Sequence, residues 1–75
     1  MATLSDLTQR ELEILQLVIE GKTNRAIANE MCITDRTVEF HLDHIFTKIG
    51  MRTRLLAGIW ALQHGMGVKT VEIHS

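Results

Sequence analysis

Apolar residues recur along this chain at helical spacing and fall into four runs separated by polar breaks. In the first run Leu12, Leu15 and Ile19 share one face, with Val18 beside them. Its start is marked by Thr8 and Glu11, the T-x-x-E arrangement in which hydroxyl and carboxylate reciprocally cap the first turn, with Leu7 and Leu12 placed for a hydrophobic staple. Gly21 stops it, because glycine takes the left-handed conformation without a side-chain penalty. The second helix begins at Thr23, turns Ile27, Ala28 and Met31 inward and ends near Met31. A tight turn through Cys32 and Ile33 follows. Thr34 caps a third helix with Asp35 in its first turn. Val38, His41, Ile45 and Ile49 form its stripe, and Gly50 closes it. From Asp35 to Ile49 this helix would be about 22 Å long, at 1.5 Å per residue. A fourth runs roughly from Thr53 to Gln63 and ends before Gly65. The tail GVKTVEIHS lacks a pattern and is expected to fray. The expectation is an all-α fold of four helices in one domain over 1–75.

Composition narrows the class without naming it. Hydrophobic residues make up 45% and charged residues 23% of the 75, which argues against disorder. No apolar stretch approaches the roughly 20 residues needed to span a membrane, and MATLSDLTQRE lacks the features of a signal peptide. The lone cysteine, Cys32, excludes an internal disulfide, so a cytoplasmic location is the default expectation. Net charge is -1, which does not mark a nucleic-acid binder, but the charge is unevenly spread. Residues 1–21 set Arg10 against Asp6, Glu11, Glu13 and Glu20, a balance of -3. Residues 22–54 set Lys22, Arg25, Arg36, Lys48, Arg52 and Arg54 against Glu30, Asp35, Glu39 and Asp43, a balance of +2.

A short helix and a long one joined by three or four residues cross steeply. In DNA-binding proteins the first of such a pair spans the sugar–phosphate backbone and the second enters the major groove, which admits one helix. Many small bundles contain such a pair without meeting DNA, so geometry alone does not decide.

The run LTQRELEILQLVIEGKTNRAIANEMCITDRTVEFHLDHIFTKIGMRTRLLA resembles the LuxR/GerE helix-turn-helix domain, also found in NarL/FixJ response regulators. The shared residues are Leu7, Thr8, Arg10, Glu11 and Glu13, then Gly21, Thr23, Asn24, Arg25, Ile27 and Ala28. They continue with Ile33, Thr34, Thr37, Val38, His41, Ile45, Lys48, Ile49, Gly50, Thr53 and Arg54. The resemblance covers about residues 7–62. It implies a four-helix fold, a transcriptional regulator and double-stranded DNA as partner, with no cofactor.

By that resemblance Val38, His41, Ile45 and Ile49 face the core, with His41 hydrogen-bonded in the interior. Phosphate contacts are expected from Thr23, Asn24, Arg25, Arg36, Thr37, Lys48 and Arg54, with Arg52 a further candidate. For Thr23 simple capping, and for Arg54 an internal salt bridge, are the structural alternatives. Free amides at the start of the second helix favour an anion. Base reading is expected on the exposed face of the third helix, at Glu39, Phe40, Asp43 and Thr47. There the chain departs from the family, which commonly carries lysine, arginine or another polar residue where Glu39 and Asp43 stand. Carboxylates repel phosphates, but they can accept from cytosine N4, and Phe40 can meet a thymine methyl.

Relatives often pair through the fourth helix, and here it carries Leu55, Leu56, Ile59 and Trp60. At least one of Leu56 and Trp60 is expected in the core, and Leu55 and Ile59 in a homodimer seam. Two readings stay open: a dimeric DNA-binding regulator, and an interaction module of the same fold that pairs with other LuxR-type regulators. No enzyme is indicated, since neither a phosphate loop nor a nucleophile with its base is present. His41, His44 and Cys32 do not make a metal site, for which a structural zinc needs four ligands. Cys32 is expected to be a small buried residue of the turn.

Overall fold

Residues 1–67 are described by a computed structural model of the chain, and the expectation for the tail lies almost wholly outside them. Four helices follow one another: α1 (Gln9–Ile19), α2 (Asn24–Met31), α3 (Asp35–Ile49) and α4 (Arg54–Gln63). No strand occurs among the described residues. One 3-10 turn at Leu4–Asp6, unmarked by the hydrophobic pattern, precedes α1. Asp6 caps it, its Oδ2 accepting the Thr3 amide at 2.8 Å while the Asp6 amide donates to the Thr3 carbonyl at 3.0 Å.

Each helix begins on a threonine whose hydroxyl accepts an amide from the first turn: Thr8 from Glu11, Thr23 from Ala26, Thr34 from Thr37 and Thr53 from Leu56. These caps satisfy donors that a helix start leaves without partners. At α1 the box is complete, because the Thr8 amide donates to Glu11 Oε1 at 2.9 Å. Gly21 and Gly50 end the first and third helices with φ of 82° and 74°. The α2–α3 turn is three residues, Cys32–Thr34. It is closed by the Ile33 amide donating to Ala28 O at 2.9 Å.

The core joins Leu7, Ile14, Leu15 and Val18 to Ile27 and Ala28, to Val38, Leu42, Ile45 and Ile49, and to Ala57, Trp60 and Ala61. It lies between α1, α3 and α4, with α2 packed chiefly on α3.

Three expectations need correction. Ile14, not Leu12 or Ile19, is the fully buried partner of Leu15 in α1; Leu12 and Ile19 are half-buried at the margin. His41 is half-buried, and Leu42 takes the interior position beside Val38 and Ile45. Cys32 is exposed, standing at the C-cap of α2 with a left-handed backbone, φ 59°, rather than in the core. Trp60 is in the core as expected of one of the pair, and Leu56 is exposed.

Candidate nucleic-acid interface

The interior stripe of α3 leaves the opposite face free. Arg36, Glu39, Phe40, Asp43, His44 and Thr47 are all exposed on it, so every residue expected to read bases does face solvent. Phe40 is 59% exposed, a large apolar ring held in water. It packs on the His44 imidazole at 4.4 Å between ring centroids and meets the edge of His41 at 6.1 Å. Arg36, Glu39, Phe40 and Asp43 line one shallow notch. Arg36 sits one turn before Phe40, so the face carries one cation, two carboxylates and an aromatic patch.

The expected phosphate contacts divide into free and engaged groups. Arg25, Arg36 and Arg52 are exposed. Thr23 caps α2, its hydroxyl accepting the Ala26 amide at 3.1 Å. Thr37 is half-buried, with its hydroxyl 2.9 Å from that of Thr34. Arg54 donates to Asn24 Oδ1 at 2.7 Å and to the Lys22 carbonyl at 2.6 Å, tying the start of α4 to the start of α2. Asn24 is thereby engaged too. Lys48 forms an ion pair with Glu11, Nζ to Oε1 at 2.8 Å. Arg10 also bridges helices, donating to the Met31 carbonyl at 3.3 Å.

Sequence reasoning placed Glu11 in its cap but not in this ion pair, which spans 37 positions and leaves no local trace. Burial pushes the Glu11 carboxyl pKa up, but hydrogen bonds from Lys48 and from the Thr8 amide outweigh this and hold it below its ordinary value. Lys22 was also passed over. It is exposed immediately before the cap of α2, on the edge expected to meet a backbone, and its place beside Thr23 was the available signal.

The α4 surface is apolar. Leu55 is 72% exposed, and Leu56, Ile59 and Leu62 are exposed with it. Leu55, Gly58, Ile59 and Leu62 line a groove with Val18 and Ile19 of α1. Leu55 and Ile59, expected in a seam, thus lie on a free surface.

No group of three or more histidine, cysteine or acidic residues is placed to hold a metal ion among the described residues. Nor is any helix among them long and apolar enough to cross a membrane.

A short helix, a three-residue turn and a long helix with one open face define a helix-turn-helix domain. Residues 5–61 match the family of bacterial regulatory proteins of the luxR type, and the chain belongs to that family. It is 47% identical over 55 residues to the transcriptional regulatory protein LiaR of Bacillus subtilis, covering 73% of this chain and 26% of that protein. It is 38% identical over 65 residues to the transcriptional regulatory protein LnrK of the same organism, covering 87% and 30%. With the response regulator protein VraR of Staphylococcus aureus it shares 42% over 60 residues, covering 80% and 29%. The chain therefore spans less than a third of the length of these relatives. Membership places it among regulators rather than enzymes.

Proposed function

We propose that this chain is a sequence-specific DNA-binding module of a transcriptional regulator, entering the major groove with α3 and acting as a homodimer through α4. The observation that carries the reading is the open face of α3. Its inner stripe is wholly core, while Arg36, Glu39, Phe40, Asp43 and Thr47 stand in solvent beyond a three-residue turn. In this reading Glu39 and Asp43 accept from base amines, of which cytosine N4 is the natural donor. Phe40 covers a thymine methyl, and Thr47 takes the far end of the helix. Arg25, Arg36 and the α2 start at Thr23 and Asn24 meet phosphates, joined by Thr37, Arg54 and Arg52, while Lys48 stands at the same edge in its pair with Glu11. Two copies related by a two-fold axis would set their α3 helices about 34 Å apart, matching half-sites one turn apart.

The acidic face and the exposed α4 surface favour a second reading: a module of the same fold with reduced DNA affinity that pairs with other regulators of its family. A binding selection from random duplex DNA at low salt separates the two, run on the parent and on Glu39→Lys/Asp43→Lys. Enrichment of a palindrome by the parent, altered in the variant, supports base reading by α3. No enrichment by a folded parent, with binding restored in the variant, overturns it in favour of a protein partner.

A further inference from the structure

Among the cations expected to meet phosphate, Lys48 alone forms an ion pair within the described residues. Its side chain is 36% exposed, while that of its partner Glu11 is 6% exposed. Glu11 Oε1, the same oxygen that Lys48 meets, also accepts the Thr8 amide at 2.9 Å. The cap fixes that oxygen, so the carboxylate cannot follow Lys48 outward. Lys48 must either leave a buried anion behind or share its protons between carboxylate and phosphate. A phosphate approaching this end of α3 meets a neutral pair. The exposed Arg25 offers it a full charge.

We infer that Glu11 sets the affinity of the DNA-binding surface: by holding Lys48 as a neutral pair, it withholds one phosphate contact that the chain otherwise has in reach. The inference rests on the DNA-binding reading above. Glu11 is a positioning residue here and touches no DNA itself.

The test is fluorescence anisotropy of a short labelled duplex of arbitrary sequence, titrated with the full chain from low to moderate salt. The proteins are the parent, Glu11→Gln, Glu13→Gln, Lys48→Gln, Arg25→Gln and the double variant Glu11→Gln/Lys48→Gln. Glutamine at 11 keeps an oxygen for the Thr8 amide. Glu13 controls for the loss of any acid, being exposed on the same helix and, among the described residues, bonded only to Gln9, at 3.4 Å. Glu11→Gln is expected to tighten binding and to steepen the logarithmic salt slope by about 0.9. Its advantage then shrinks by about three- to fourfold between 50 and 200 mM salt. Glu13→Gln should give less than half that change in slope. Lys48→Gln should cost less than Arg25→Gln, and Glu11→Gln should add no steepening in the Lys48→Gln background. Helicity by circular dichroism accompanies each; should Glu11→Gln lose its fold, the comparison of Lys48→Gln with Arg25→Gln still decides. Equal gains from Glu11→Gln and Glu13→Gln overturn the inference, as does a full unit of slope lost in Lys48→Gln. Binding by the parent unaltered in Glu11→Gln overturns this inference alone. No binding by either overturns the DNA-binding reading with it.

Discussion

Glu11 ties two distant parts of the chain together and makes their union pH-dependent. Its carboxyl is held below the ordinary 4.5 because the bonds from Lys48 and Thr8 outweigh the burial that would raise it. A group whose pKa is depressed by folding adds stability at pH above its unfolded value and loses it as pH falls through the folded one. Denaturant titrations are therefore expected to show the parent losing stability as pH drops below 4.5, with Glu11→Gln losing less over the same interval. Parallel curves would show that the pair contributes nothing to folding. Cys32 offers a second residue-scale test. A side-chain-bearing residue at φ 59° is strained, and this side chain is exposed, so it repays little by packing. Cys32→Gly is expected to raise stability by up to about 1 kcal/mol and shift the thermal midpoint upward, without changing helicity. A lower midpoint would mean that the thiol packs usefully against the turn.

At the scale of elements, the sequence was most legible where the interaction is local. All four threonine caps and the glycine stops lie within a few residues of the amides or carbonyls they serve, so the boundaries of α1 to α4 could be read directly. The phase of each inner face was harder. In α1 the box turns Glu11 inward, and Ile14 follows it one turn later; a stripe drawn through Leu12 and Ile19 is rotated from the true one. His41 and Leu42 are neighbours in α3, and only the packing of the other helices against it decides that leucine goes in. The surface residues of α3 were legible as the complement of its core. The engagement of Lys48 by Glu11 and of Arg54 by Asn24 was not, since both depend on chain crossings. Helix α4 carries a further signature. Gly58 lies in its interior, where glycine costs about 1 kcal/mol relative to alanine, and a Cβ there would meet nothing within 4 Å. Nothing among the described residues requires it. If the Leu55–Ile59 surface packs on a second copy, Gly58 lets the helices approach closely. Gly58→Ala is then expected to stabilise the fold by about 1 kcal/mol while weakening the dimer. Calorimetry and sedimentation would read these opposite signs; both moving together would remove the helix from the seam.

Taken whole, the molecule combines a net charge of -1 with a reading face that carries two carboxylates. Non-specific affinity grows with the number of phosphates neutralised, and each contributes about 0.9 to the salt slope. Among the described residues a single copy has few free cations near that face, chiefly Arg25, Arg36, Arg52 and Lys22. Doubling the surface doubles those contacts on one rigid duplex, and the second half-site is met at high effective concentration. DNA binding is therefore expected to follow dimerisation closely. Leu55 is 72% exposed, so Leu55→Glu should leave the helices intact while placing two like charges across a two-fold seam. The variant should sediment as a monomer, retain the parent's circular dichroism spectrum, and lose duplex binding at physiological salt while keeping a weak remnant at low salt. The two readings of the fold part at this point. A monomeric variant that binds as tightly as the parent would detach DNA recognition from α4. An unchanged sedimentation mass would move the seam elsewhere, leaving the apolar surface of α4 for a different regulator of the same family.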